Sequence, residues 1–160
     1  MLFRSRQGIV SLNEVVRRTL PMLKTAMRDH RSEMLLSEKE NEIRVEPHLM
    51  QQVVFNLVNN ACQAMPDPGT ITVETSGEID PQGRRWSVLK VRDTGVGIPP
   101  EIMDSIFEPF FTTKEKGQGT GLGLSMCRSV IEKFGGRIDV ESEVGVGTGF
   151  TVRLPEVGKK

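Results

Sequence analysis

The sequence predicts an α/β fold, a two-layer sandwich in which helices cover one face of a mixed β-sheet. Three observations lead there. Stretches with apolar residues at helical spacing are interspersed with short stretches of period-two alternation. Some of the alternating stretches come in pairs joined by short loops, as hairpins do. The chain has 160 residues, enough for one core and one domain.

The elements follow in order. Ser11–His30, SLNEVVRRTLPMLKTAMRDH, reads as an amphipathic helix. Ser11 and Glu14 fit a capping box, and Val15, Val16, Thr19, Leu20, Leu23 and Met27 form its apolar stripe. Pro21 should kink or break it, because proline removes a helix hydrogen bond and clashes with the preceding turn. SEMLLSEK and EIRVE are short strand candidates. Pro47 suits the first turn of the next helix, which runs through HLMQQVVFNLVNNACQAM until PDPG stops it. TITVETSG and RWSVLKVRD are strands, with EIDPQG as their loop. In the second of these, Leu89, Val91 and Asp93 share a face. Pro100 opens a short helix to about Phe107, and Glu108–Thr120 has only weak periodicity. The helix GLGLSMCRSVIEKF then ends at Gly135–Gly136. RIDVES and GFTVRLP close the chain as a hairpin around EVGVGT.

Composition excludes several classes. Lys plus Arg and Asp plus Glu number 21 each, so no overall field calls for nucleic acid or an anionic membrane surface. No apolar run approaches the ~20 residues of a membrane span, and MLFRSRQGIV lacks the apolar core of a secretory signal. Cys62 and Cys127 have no partners at metal spacing. Two reduced thiols in a cytoplasmic setting are expected.

Four clusters carry chemistry. Asp93 is a carboxylate at the buried end of a strand, which is costly unless something donates hydrogen bonds to it. The amino group of adenine is such a donor, whereas guanine would set a carbonyl there; capping of the Asp-Thr-Gly turn is the competing use. Gly95 and Gly97, with no Cβ, can lie against a planar ring, and Ile98 adds an apolar wall. In GQGTGLGLS, Gly117, Gly119, Gly121 and Gly123 alternate and lead into a helix, whose free amides suit phosphate. Neither of the two best-known phosphate loops matches this spacing. Asn56 and Asn60, four apart, face the same way on an otherwise apolar helix. An amide oxygen there is a fair ligand for Mg²⁺ shared with phosphates.

In order and spacing, QQVVFNLVNNACQAM, DTGVGIP, FEPFFTTK and GQGTGLGLS resemble the N, G1, F and G2 boxes of sensor histidine kinases, members of the GHKL superfamily of ATP-binding domains. The likeness covers roughly Asn13–Leu154 and is greatest to the nitrogen-regulation and dicarboxylate-sensor branch. It implies the Bergerat α/β sandwich, with ATP and Mg²⁺ as cofactors. It further implies that Asp93 binds the adenine amino group, Asn60 coordinates Mg²⁺ and Asn56 assists at the phosphates. Gly95, Gly97, Ile98, Phe107 and Thr113 would line the nucleotide site. Gly119, Thr120, Gly121, Leu122 and Gly123 would approach the phosphates, and Glu108–Thr120 would be the lid. Lys114 would neutralise phosphate charge, unless it is a solvated lid lysine. Phe107, Phe110 and Phe111, with Met103 and Ile106, read as core or as a latch in that lid.

Two departures shape the expected activity. The position matching Asn56 is glutamate in the ATP-hydrolysing relatives, and asparagine cannot act as a general base. Transfer to a protein acceptor is therefore expected in place of fast hydrolysis. The kinases' phosphoacceptor histidine motif is also missing, since His30 and His48 read as surface residues at helix ends. The expected organisation is a tail of the preceding stalk helix and linker over 1–10, the catalytic ATP-binding domain over 11–155 and a tail over 156–160. Partners would be a histidine-bearing dimerisation domain of the same kinase and a response regulator, with neither nucleic acid nor direct membrane contact. The fragment itself is expected to be monomeric and cytoplasmic, whether or not the parent kinase is bound to a membrane. An anti-sigma-type serine kinase and a non-catalytic nucleotide-binding module are the alternatives, the first disfavoured by FEPFFTTK and the stalk-like start.

Overall fold

A computed structural model of the chain describes residues 7–39, 41–111 and 123–157. Its centre is a five-stranded mixed sheet in the order β2 (Arg31–Leu35), β4 (Thr70–Ile79), β5 (Arg85–Asp93), β7 (Gly147–Pro155), β6 (Arg137–Glu143). The β2–β4 pair is parallel and the other three pairs are antiparallel. A separate two-stranded sheet joins β1 (Gly8–Ser11) to β3 (Glu42–Val45). The helices are α1 (Leu12–Thr19), the short α2 (Lys24–Met27), α3 (Pro47–Gln63) and α4 (Gly123–Lys133).

Strand register explains which face is covered. On one face, Val73, Val91, Phe150 and Val140 line up across β4, β5, β7 and β6, and Thr75, Leu89, Val152 and Ile138 form the next row. Paired residues on neighbouring strands point the same way, so these rows make an apolar floor. α3 lies over it, with Met50, Val53, Val54, Leu57 and Val58 at 0 % exposure. Burying each such side chain stabilises the fold by about 1.5–3 kcal/mol. The other face carries Thr72, Glu74, Lys90, Arg92, Thr151 and Arg153, a polar surface on which Arg153 pairs with Glu78 and Asp139.

Local chemistry sets the breaks. Ser11 Oγ accepts the Glu14 N–H as N-cap. The capping box is only half formed, because the Glu14 carboxylate turns to Arg18 one turn later. Pro21 acts as expected: α1 stops at Thr19, a 3₁₀ turn covers Leu20–Leu23, and α2 resumes at Lys24. The expected 10/11 boundary falls within β1, whose four residues are too few to show an alternation. Three sequence expectations need correcting. β4 continues through Glu78 and Ile79, into the expected loop. Pro100–Ser105 is 3₁₀ and not α. Gly147 and Thr148, expected in a turn, are already strand β7, and the turn is Val144–Val146.

Buried polar groups tie the layers together. Asn13 of α1 donates to Ser37 O (2.7 Å) and accepts from Thr75 Oγ1 on β4, while Ser37 N donates to that same Thr75 hydroxyl. Asn41 adds a second tie, its side-chain amide donating to Ser76 O and its backbone carbonyl accepting from Leu12 N. Asn13→Ala would strand the Ser37 carbonyl and the Thr75 proton in a site where Asn13 is only 5 % exposed. The expected loss is about 1–3 kcal/mol of unfolding free energy, read by chemical denaturation; a change inside experimental error would refute the role given to this network.

Candidate functional site

The apolar floor ends in a polar row. Beyond Val73–Val91–Phe150–Val140 the next register row is Ile71, Asp93, Thr148 and Ser142. Asp93 is 8 % exposed and Thr148 is 6 % exposed. Asp93 Oδ1 accepts from Gly95 N at 2.8 Å and from Thr148 N at 3.3 Å. Among the described residues nothing bonds to Oδ2. Burial pushes the Asp93 carboxyl above its ordinary value, and the two backbone donors oppose that rise.

The loop after Asp93 is docked on both sides. Val96 N donates to Ala64 O at the end of α3, and Gly145 N of the β6–β7 turn donates to Val96 O. A Cβ on Gly95 would stand 2.3 Å from Ala64 O. One on Gly97, which has φ +80°, would stand 2.3 Å from Glu143 O. Both positions therefore need glycine for backbone packing, a use that does not depend on any ligand. Ile98 is half-buried against the core, and its N–H donates to Ser142 Oγ at 2.8 Å.

α3 supplies the second half. Asn56 and Asn60 are half-buried, off the fully covered stripe of the helix. The Cys127 thiol of α4 donates to Val53 O of α3 at 3.9 Å, close to the Asn56 side chain, and Gly123, the first residue of α4, lies beside the same amide. Cys127 is fully buried, and burial pushes its thiol up to about 12. Cys62, near the other end of α3, is raised first by burial and then by the nearby Asp93 carboxylate. Both cysteines are free thiols, as expected. Helix geometry puts Asn56 and Cys62 about 9 Å apart along the axis. One helix thus places the acid at one end and the α4 N-terminus near its middle.

The aromatic trio divides. Phe107 packs edge-on against Phe150, ring centroids 6.2 Å apart, with the Arg128 guanidinium over its face. Phe111 packs on the core with Met103 and Ile106. Phe110 is 74 % exposed at φ 66°, left-handed backbone for a bulky residue. Thr113, Lys114, Gly117, Gly119, Thr120, Gly121 and Leu122 lie outside the described residues. His30 Nδ1 accepts from Gly69 N, and His48 is exposed. Thr148, Ser142 and the Ala64 carbonyl escaped the sequence reading. Period-two spacing back from Leu154, Val152 and Phe150 reaches Thr148, a signal masked by the glycines around it. No helix among the described residues is long and apolar enough to cross a membrane.

Comparison with known proteins agrees with this geometry. A family model described as histidine kinase-, DNA gyrase B-, and HSP90-like ATPase matches residues 45–158. The sensor histidine kinase ZraS of Salmonella typhi is 35 % identical over 153 residues, covering 94 % of this chain and 32 % of ZraS. Sensor kinase CckA of Brucella abortus (strain 2308) is 45 % identical over 117 residues, covering 67 % of this chain and 12 % of CckA. The chain therefore spans a third or less of these relatives. Among solved structures, the catalytic domain of histidine kinase ThkA superposes with a TM-score of 0.80 at 30 % identity, covering 94 % of this chain and 96 % of that one. The mycobacterial sensor histidine kinase MprB gives a TM-score of 0.82 at 27 % identity, covering 94 % and 98 %.

The charge on Asp93 has a testable cost. Asp93→Asn keeps an acceptor for the Gly95 and Thr148 amides and removes the charge. Because burial raises the folded-state pKa above 3.8, the folded chain binds more protons than the unfolded chain in that interval. The wild type therefore loses stability as pH rises through it, and the variant does not. Without nucleotide, the melting temperature of the variant minus that of the wild type should be larger at pH 7 than near pH 4. A gap that does not change with pH would contradict the burial argument.

Proposed function

Since the chain belongs to the histidine kinase-, DNA gyrase B-, and HSP90-like ATPase family, among the ATP-binding catalytic domains of sensor histidine kinases, we propose that it holds Mg·ATP and presents the γ-phosphate to a histidine on a dimerisation domain. One observation carries the reading. α3 joins the neighbourhood of a buried carboxylate, one of whose oxygens has no partner among the described residues, to the start of α4 across about 9 Å of helix axis.

Each residue then has a role. Asp93 accepts a hydrogen bond from the adenine amino group, with Ile98, Gly95 and Gly97 beside the base. By the family resemblance, Phe107, Thr113 and the segment Gly119–Gly123 are assigned to nucleotide binding, and Lys114 to neutralising phosphate charge. Among the described residues no group of three or more His, Cys, Asp or Glu side chains could hold a metal. A cation here would draw most of its ligands from phosphate and water, which suits Mg²⁺ and asks only an amide oxygen of the chain. Asn60 fits that demand; bound there, Mg²⁺ would supply neutralising charge at the phosphates. Asn56 has no basic group with which to activate water. Its amide lies beside the first residue of α4, where it can orient phosphate and leave the nucleophile to the protein acceptor. Rate enhancement then comes from positioning and charge neutralisation.

The partners follow from that chemistry: the histidine-bearing domain of the same kinase, and a response regulator downstream. ThkA is also known in complex with the response regulator TrrA, an arrangement that supports the second partner. Dependence on ATP supports a cytoplasmic location for the domain.

At ATP one hundred times its dissociation constant, binding should stabilise the chain by about 2.7 kcal/mol. Asp93→Ala should abolish the ATP-dependent rise in melting temperature and remain folded, and Asn60→Ala should remove only its Mg²⁺-dependent part. With a histidine-bearing stalk domain added in trans, acid-labile phosphate should appear on that domain. Bound ATP without phosphohistidine would defeat the kinase reading, and an undiminished ATP shift in Asp93→Ala would defeat the site itself.

A further inference from the structure

Ser142 occupies the β6 end of the polar row, next to Thr148, which is next to Asp93. A proton count across this row is decisive. A serine hydroxyl has one hydrogen and two lone pairs. Ser142 Oγ lies 2.8 Å from Ile98 N, which can only donate. It lies 3.0 Å from Gly147 O, which can only accept, and 2.7 Å from Thr148 Oγ1. The serine proton therefore goes to Gly147 O, one lone pair takes the Ile98 N–H, and the other takes the Thr148 proton. The reverse direction between the two hydroxyls would leave Ser142 Oγ and Gly147 O, two acceptors, in contact with no hydrogen between them.

Thr148 thus spends its only hydroxyl hydrogen on Ser142 and has nothing but lone pairs left to offer. Its neighbour Asp93 also has only acceptors. We propose that Ser142 is a positioning and specificity residue for the base: by fixing the direction of the Thr148 hydroxyl, it keeps the edge beside Asp93 purely accepting. Such an edge suits an amino group or a water and opposes a carbonyl at the same place on a purine. Ser142 touches no nucleotide in this scheme and acts through Thr148. The inference rests on the adenine-nucleotide reading given above.

Inosine triphosphate, with a carbonyl in place of the adenine amino group, is the probe. Calorimetric dissociation constants for ATP and ITP with the 160-residue chain give the preference ratio. In Ser142→Ala the threonine hydroxyl is free to donate, and the ATP-over-ITP preference should narrow by roughly 3- to 10-fold. Ser142→Cys, close in size but a weak hydrogen bonder, should narrow it in the same direction and stands in if the alanine variant does not fold. Ser142→Thr should retain the wild-type preference. In a Thr148→Val background, Ser142→Ala should leave the ratio unchanged, since no hydroxyl remains to redirect. Equal weakening of both nucleotides in the alanine and cysteine variants would mean a merely loosened loop and would overturn the inference, as would narrowing that persists in the Thr148→Val background. In either result the wild type still binds ATP, so the nucleotide reading stands. Absence of ATP binding by the wild type would instead overturn the nucleotide reading and this inference with it.

Discussion

A carboxylate sits where a valine would continue the apolar floor. Asp93 follows Leu89 and Val91 on the same face of β5, and desolvation of its charge is the cost around which this end of the sheet is arranged. Two backbone amides, from Gly95 and Thr148, answer one of its oxygens. To bring the first, the chain must turn immediately after the strand, pressing Gly95 onto the end of α3. To bring the second, β7 must begin early enough to place Thr148 opposite the acid. The loop geometry, the start of β7 and the end of α3 are thus consequences of one buried charge. The other oxygen has no partner among the described residues.

Much of this was legible in the sequence, and the reasons differ by element. α3 declared itself through seventeen residues of helical periodicity between Pro47 and the Pro66–Pro68 stop. Pro21 broke its helix because the cost of a missing donor is independent of context. The face of Asp93 followed from alternation along β5 alone. Other features depend on tertiary contact and leave little local trace. β1 has four residues and exists as a strand only because β3 lies beside it. Glu14 chose Arg18 over its own cap, a contest between two interactions of similar strength. Thr148 was hidden by flanking glycines that resemble a turn, although Gly147 serves in the strand. Gly95 and Gly97 were singled out as a surface for a planar ring, but the space they save is filled by Ala64 and Glu143 carbonyls of the chain itself.

The amide of Asn56 shows how the two helices set the character of the site. Its neighbour, the Cys127 thiol, is buried, donates to Val53 O and is held neutral well beyond physiological pH. Neutral sulfur is a weak hydrogen-bonding group. Beside the amide it leaves the amide's bonding capacity unspent, which a carboxylate or a backbone carbonyl in its place would not. A glutamate at position 56 would meet the opposite environment: a poor partner in an apolar contact between α3 and α4, with its own ionisation opposed by burial. Packing and chemistry therefore agree at this position. The helix pair that buries Cys127 also favours a neutral group over a base at position 56, which is what the proposed transfer to a protein acceptor would require.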